Sequence, residues 1–276
     1  MKRVAQILMI FGIIALALNF LIFRYNSGGI DFKCLLIRFR FRDPTDGYYL
    51  GLNSIFLGIF LLLLNKEKVD WRILTVTFLL VTTVLKILRY DFYMSPGYDL
   101  GNYASILFNI HEFGKLWDGL NQVNGFSGHI RPFLYPLSLI LYIWKDPRIL
   151  LILQSLAVAL TIPAIYLLSN SYKIGKKETT YLMLLFASNI YVHWVNGFDF
   201  HLEALAMPLI ITGIFSLENK KLLPFLIIFS TTLSFKEDVA IGWISIGLFY
   251  FLIKRDFYKA GMIIIPSVGY SILAFI

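Results

Sequence analysis

The sequence predicts an all-α fold, a polytopic transmembrane helical bundle, from three observations. First, 58% of the 276 residues are hydrophobic and only 15% are charged, whereas a soluble domain is about 25% charged. Second, the apolar residues form runs close to the roughly 20 residues with which a helix crosses a bilayer. Third, basic residues cluster between those runs, as in cytoplasmic loops. This composition excludes a soluble cytosolic enzyme, a disordered chain and a secreted disulfide scaffold, and it predicts no nucleic-acid partner despite the +8 net charge.

The apolar runs predict about nine spans. The first, residues 4–23, has no small-residue cleavage site after it, so we interpret it as an anchor and not as a cleaved signal peptide. The other predicted spans are residues 49–64, 73–88, 149–168, 181–195, 202–217, 222–235, 240–253 and 261–276. Residues 133–144 are too few to cross alone and include Pro136, so we expect a re-entrant or short helix there.

The basic clusters predict a multi-pass protein of the cell membrane with a cytoplasmic N-terminus. If residues 133–144 do not cross, all five clusters fall on one side, which the positive-inside rule makes cytoplasmic. One loop, residues 24–48, is also basic but falls on the predicted outer side. The five clusters are Lys2/Arg3, Lys66/Lys68/Arg72, Lys173/Lys176/Lys177, Lys220/Lys221 and Lys254/Arg255/Lys259.

The longest predicted outer loop, residues 89–132, contains apolar residues that recur at helical spacing from Tyr103 to Trp117. Such a stripe with aromatic anchors predicts a helix lying in the membrane interface. Asp99 stands at its start, either as an N-cap or as a functional acid.

Further polar residues lie at the predicted outer ends of the spans. His129 and Arg131 end the long loop, and Arg131 either reaches up to lipid headgroups or grips a phosphate. Asp199 and His201 join two spans, where Asp199 either caps the next helix with His201 in solvent, or both residues are functional.

The segment Lys236, Glu237 and Asp238 lies between two more predicted spans. Taken alone it is typical of a solvated turn. Together with the other outer clusters it supplies a cation beside two carboxylates. Carboxylates with substrate phosphate are typical ligands of Mg²⁺, and Mg²⁺ or Mn²⁺ is therefore the cofactor that we consider. No metal-binding, nucleotide-binding or serine-hydrolase motif occurs in the sequence.

Four polar segments follow one another along the chain: Tyr98-Asp99-Leu100-Gly101, Ser127-Gly128-His129-Ile130-Arg131-Pro132, Phe198-Asp199-Phe200-His201 and Lys236-Glu237-Asp238-Val239. In this order and spacing they resemble the family called domain of unknown function 2079, which in turn is similar to the GT-C superfamily of polyprenyl-phosphate-sugar glycosyltransferases. The resemblance covers about residues 85–276. It leaves residues 1–72, with two transmembrane helices, as an N-terminal extension before a module of residues 73–276. The chain differs from the family in having glycine where the family has an acid before the histidine of the second segment.

The resemblance implies a GT-C-like fold with an interfacial helix in the outer loop, and a catalytic acid there, which is Asp99. We therefore predict transfer of a sugar from a polyprenyl-phosphate donor to an acceptor at the outer membrane face, with membrane lipid and the lipid-linked sugar as partners. Asp99 is the predicted base, and the predicted substrate-binding residues are His129, Arg131, Asp199, His201, Lys236, Glu237 and Asp238. The alternative is a transporter or a lipid-phosphate-binding membrane protein without catalysis.

Overall fold

The structure, a computed structural model, describes residues 2–25, 30–34, 37–41, 44–64, 66, 69–95 and 97–275. Among the basic clusters, Lys68 lies outside the described residues. The described residues form twelve α-helices and two short antiparallel hairpins. The predicted all-α membrane-type fold is confirmed at this level.

Four of the described helices are long and apolar enough to cross a membrane. Two shorter apolar helices, Gly47–Leu63 and Leu222–Leu233, fall below that length. The prediction of about nine spans, and of which side faces the cytoplasm, therefore stays a prediction. The four candidate spans are Lys2–Ile22, Trp71–Asp91, Arg148–Ser171 and Phe257–Ala274.

The chain forms two compact units, which are described separately. Unit 1 comprises Met1–Gly97 and Lys173–Asp199. Its helices are α1 (Lys2–Tyr25), α2 (Pro44–Leu63), α3 (Trp71–Asp91), α7 (Lys176–Ala187) and α8 (Ile190–Gly197), with the hairpin β1 (Ile30–Cys34) and β2 (Ile37–Phe41) between α1 and α2.

Helices α1 and α2 of unit 1 approach each other closely at glycines. A Cβ atom at Gly12 would lie 2.5 Å from the carbonyl oxygen of Gly51, and one at Gly58 would lie 2.8 Å from that of Ala5. Only glycine allows two backbones to come this near, which is the usual way in which helices associate within a bilayer.

Residues 181–195, predicted as one span, are two helices in the structure. Helix α7 ends at Ala187 and α8 begins at Ile190. Asn189 is the N-cap of α8, and its side chain accepts a hydrogen bond from the Tyr191 amide at 2.8 Å. A capping residue inside an otherwise apolar run is enough to start a new helix.

Unit 2 comprises Tyr98–Tyr172 and Phe200–Ile276. Its core lies around Trp243, which is fully buried, contacts the rings of Phe225 and Phe229, and donates a hydrogen bond to Thr232. Its α-helices are α4 (Tyr98–Phe113), α5 (Leu134–Ser138), α6 (Arg148–Ser171), α9 (Ala206–Glu218), α10 (Leu222–Leu233), α11 (Glu237–Phe249) and α12 (Phe257–Phe275). The remaining elements are the hairpin β3 (Trp117–Asp118) and β4 (Val123–Asn124), two 3-10 helices (Leu139–Tyr142 and Leu202–Leu205) and a π-helical turn (Tyr250–Lys254).

The predicted helix of the outer loop is present as α4. Its buried face consists of Tyr103, Ile106, Leu107 and Ile110 among others, and it packs on α5 and the 3-10 helix that follows. The helix ends at Gly114, whose φ of +65° suits glycine and whose amide donates to the Ile110 carbonyl. The predicted short helix is present as the five residues of α5 and the four of the 3-10 helix Leu139–Tyr142.

Candidate functional site

The first acid of the candidate site stands at the beginning of α4. This helix begins at Tyr98, so Asp99 lies inside its first turn and is not the residue before it. A carboxylate is stabilised there by the positive end of the helix dipole. The Asp99 side chain is 36% exposed, and its Oδ2 atom lies 3.6 Å from Nε2 of His201. Asp99 and His201, 102 positions apart in the sequence, are thus in contact within unit 2.

His201 is held between two carboxylates. Its second ring nitrogen, Nδ1, lies 4.0 Å from Oε2 of Glu203. The backbone amide of His201 donates a hydrogen bond at 2.7 Å to the side chain of Gln154, a fully buried residue of α6. This bond fixes the chain where His201 precedes the 3-10 helix Leu202–Leu205. The imidazole is therefore placed by its backbone and flanked by Asp99 and Glu203.

Lys236 joins Glu203 to the start of α11. Its Nζ atom donates to Oε1 of Glu203 at 2.6 Å and lies 2.9 Å from Oδ2 of Asp238. Burial of Lys236 disfavours its charge, but the hydrogen bonds and charges of the two carboxylates outweigh burial and raise the pKa of Lys236 above its ordinary value. With its side chain only 15% exposed, Lys236 is not part of a solvated turn.

The next residue, Glu237, contacts the other end of the outer loop. Its Oε1 atom lies 2.5 Å from Nδ1 of His129, and its Oε2 atom accepts a hydrogen bond from the Ile130 amide at 3.2 Å. Glu237 is buried, whereas the His129 side chain is 45% exposed. The segment Lys236–Asp238 is therefore linked to both histidines. Lys236 binds Glu203, which lies beside His201, and Glu237 binds His129 directly.

Arg131 lies inside unit 2 and does not extend to lipid headgroups. It is buried, its Nη2 atom donates to the Gly125 carbonyl at 3.1 Å, and its guanidinium carbon lies 5.0 Å from the centre of the Tyr103 ring. Burial and then the charge of Glu203 raise the pKa of Tyr103, while Arg131 acts in the opposite direction. Tyr103 thus interacts electrostatically with both Arg131 and Glu203.

Asp199 belongs to unit 1, not to unit 2. It is fully buried and accepts a hydrogen bond from the Ser95 hydroxyl. Its other oxygen, Oδ2, has no hydrogen-bond partner among the described residues. The expectation that Asp199 caps the following helix is wrong, because the 3-10 helix begins at Leu202 and Asp199 is occupied by Ser95.

We call the group in unit 2 the polar cluster. It contains six of the seven predicted binding residues and the predicted base. Glu203 stands two positions after His201 and is a candidate site residue for that reason, whereas no local pattern in the sequence marks Tyr103 or Gln154. The polar cluster consists of Asp99, Tyr103, His129, Arg131, Gln154, His201, Glu203, Lys236, Glu237 and Asp238.

Unit 1 contains two buried basic residues that the sequence analysis also missed. Lys86 and Arg89 lie on the buried face of α3, inside a candidate span. The Arg89 guanidinium donates to the Met94 carbonyl at 2.9 Å and to the Gly197 carbonyl at 2.6 Å. Both residues are visible in the sequence as charges within an apolar run. Such charges are costly in a membrane without partners, so their presence in a span is itself a signal of a functional or paired residue.

The described residues contain no group of three histidine, cysteine, aspartate or glutamate side chains that converge as metal ligands. Mg²⁺ and Mn²⁺ therefore gain no support from the polar cluster, and the chemistry discussed below is assigned to side chains.

The fold and the polar cluster define a multi-pass helical membrane protein with a preformed group of ionisable side chains. The chain belongs to the family DUF2079, described as predicted membrane proteins, whose model matches residues 89–276. The family predicted from the sequence is thus confirmed. No curated protein and no solved structure matches the chain. The matched range includes every residue of the polar cluster.

Proposed function

We propose that this protein transfers a sugar from a polyprenyl-phosphate donor to an acceptor hydroxyl at the outer membrane face, as a GT-C-like glycosyltransferase. The observation that carries the proposal is the arrangement of Asp99, His201 and Glu203. A partly exposed carboxylate at a helix start is backed by an imidazole, and the imidazole is flanked by a second carboxylate. An acid supported in this way is suited to general-base work.

In this mechanism Asp99 removes the proton from the acceptor hydroxyl as that oxygen bonds to the sugar. His201 orients the Asp99 carboxylate, and its imidazole stabilises the negative charge of that carboxylate before the proton is taken up. Lys236 is held by Glu203 and Asp238 and provides positive charge near the reacting groups. Arg131 contributes the second cation. Membrane lipid and the lipid-linked sugar are the proposed partners, because a donor with a polyprenyl tail stays at the bilayer surface.

The test is transfer by the full-length protein from polyprenyl-phosphate-linked sugars, with Asp99→Asn as the main variant. Loss of a general base lowers the rate by about 10²–10⁴-fold. Asp70→Asn is the matched control, because Asp70 is an exposed carboxylate that caps α3 and asparagine caps helices equally well. We expect the Asp99 variant to lose transfer and the Asp70 variant to keep it, with equal amounts of folded protein. Unchanged transfer by Asp99→Asn contradicts the proposed base.

The second candidate function is a transporter or lipid-phosphate-binding protein without catalysis. It is favoured by Lys86 and Arg89, because buried ionisable residues in a membrane span are typical of transport pathways. Substrate flux into liposomes without any sugar transfer by the wild-type protein supports this candidate over the first.

A further inference from the structure

We propose that His129 and Glu237 form a proton-donating pair that protonates the phosphate leaving the sugar during transfer. This inference rests on the proposed function and assigns a role to the second half of the polar cluster.

The geometry of the pair is that of a histidine fixed by a buried carboxylate. Oε1 of Glu237 lies 2.5 Å from Nδ1 of His129, and Oε2 is bound by the Ile130 amide. The Tyr270 hydroxyl of α12 donates to the Ile130 carbonyl at 3.2 Å. Contacts from α11 and α12 therefore hold the short segment that carries His129, and they set the position of its ring.

The carboxylate also determines which nitrogen can exchange a proton. An ionised Glu237 only accepts hydrogen bonds, so Nδ1 of His129 carries a proton. The proton that comes and goes is then the one on Nε2. The His129 side chain is 45% exposed while the Glu237 side chain is 7% exposed, so the imidazole and not the carboxylate is accessible to a substrate.

The charge of the polar cluster creates the need for such a proton. Four carboxylates (Asp99, Glu203, Glu237 and Asp238) stand against two permanent cations, Arg131 and Lys236. A polyprenyl-phosphate-sugar donor is a phosphodiester with one negative charge. The departing monoester carries about −1.5 to −2 at neutral pH. Negative charge therefore grows on the phosphate in surroundings that are already negative.

An imidazole matches this task. An imidazole nitrogen can donate a proton, and the oxygen of a departing phosphate can accept it. The hydrogen bond to Glu237 keeps the imidazole of His129 oriented for this transfer.

The acceptor oxygen bonds to the anomeric carbon and its proton passes to Asp99. The bond between the anomeric carbon and the phosphate oxygen breaks, and its electron pair remains on that oxygen. This oxygen takes the proton from Nε2 of His129⁺, which becomes neutral. Asp99 then releases its proton to solvent, and His129 regains one.

The role of His129 can be tested by the binding of a donor analogue that carries no sugar, so the identity of the sugar need not be known. Farnesyl methyl phosphate is a phosphodiester that keeps one negative charge across neutral pH. Its binding to the full-length protein in detergent micelles is measured by calorimetry from pH 5.5 to 8.5. Each pH is repeated in two buffers of different ionisation enthalpy, which gives the number of protons taken up.

For the wild-type protein we expect affinity to fall about tenfold between pH 6 and pH 8, with uptake approaching one proton at the alkaline end. His129→Gln removes both the slope and the uptake. Lys115→Gln, which removes an exposed positive charge from the same loop, keeps both. The groups in contact with His129 or its segment are Glu237 and Tyr270, and Arg131 follows in the loop.

Glu237 variants test positioning apart from titration. In Glu237→Gln the amide oxygen still accepts from Nδ1 of His129, but the negative charge is gone. We therefore expect the affinity for farnesyl methyl phosphate to fall at a lower pH than in the wild-type protein. In Glu237→Asp, which restores a carboxylate, we expect the affinity to fall at the wild-type pH again. Circular dichroism and gel filtration confirm that each variant is folded.

The outcomes separate the two proposals. Binding by the wild-type protein without proton uptake, or with the same uptake in His129→Gln, overturns the proton-donating pair and leaves the proposed function standing. Absence of any binding of the phosphodiester by the wild-type protein overturns the proposed function, and this inference with it.

Discussion

Two lysines, one in each compact unit, lie in opposite surroundings. Lys236 in unit 2 donates to Glu203 and Asp238 at 2.6 and 2.9 Å. Lys86 in unit 1 is more deeply buried, at 3% exposure, and its Nζ atom has no hydrogen-bond partner among the described residues. Asp199 acts on it only through its charge. Each unit therefore contains a lysine with little exposure, but only unit 2 surrounds its lysine with carboxylates that keep a charge in place.

The largest expected effect is that of Lys236→Met. The variant leaves Glu203 and Asp238 without their cation. Breaking a fully buried ion pair costs about 3–5 kcal/mol. Because Lys236 and Glu203 are only partly buried and Asp238 is 56% exposed, we expect a smaller loss of about 2–3 kcal/mol in the free energy of unfolding. Reversible unfolding in mixed detergent micelles measures it.

Lys145→Met is the matched control for this prediction. Lys145 also pairs with a glutamate, Glu112, at 2.5 Å, but its side chain is 57% exposed. An exposed ion pair contributes little to stability, because water and salt screen it. Equal losses in the two variants contradict the view that the partly buried Lys236 pair is an organised part of unit 2.

The elements of the polar cluster differ in how far the sequence predicts them. Three charges between two apolar runs predict a helix start at Lys236–Asp238, and the spacing from Tyr103 to Ile110 predicts α4, because both signals are local. Glu203 as the partner of Lys236 is not predictable in this way, since 33 positions separate the two residues and only the packing of the helices joins them.

Asp199 and His201 show a second limit of local pattern. Their nearness in the sequence predicts a shared site, whereas their observed hydrogen bonds and contacts are to different residues. Asp199 is bound by Ser95, and His201 is positioned by Gln154 and contacts Asp99. Neighbours in sequence thus take partners from different segments, and such partners are fixed by tertiary packing rather than by local pattern.

A smaller effect is expected for Glu203→Gln, and its pH dependence tests why Lys236 is charged. Glu203 and Asp238 raise the pKa of Lys236. A raised folded-state pKa stabilises the protein fully below the unfolded-state value of about 10.4, and the contribution is lost as pH rises through the folded-state pKa.

Glu203→Gln keeps the shape of the side chain but removes one of the two charges. We expect it to lower the free energy of unfolding by about 1–2 kcal/mol. The amide oxygen still accepts from Lys236, but it no longer carries the charge that makes such a hydrogen bond worth about 1.5–3 kcal/mol. The difference from the wild-type protein, followed by unfolding at a series of pH values, is constant between pH 7 and pH 10 and shrinks above that. A difference that grows at alkaline pH contradicts the assignment of the raised pKa to Glu203.

The smallest effect, and one of opposite sign, is expected for Lys86→Met. Removing a buried amine that has no hydrogen-bond partner among the described residues relieves desolvation, and an unbranched apolar side chain fills the same space. The unfolding free energy of this variant is therefore expected to stay within about 1 kcal/mol of the wild-type value, on the more stable side. The same micelle experiment measures it. A loss comparable to that of Lys236→Met means that Asp199 and Lys86 act as a true ion pair, and the contrast between the two lysines disappears. A stable variant means that unit 1 retains a buried amine that its folding does not need.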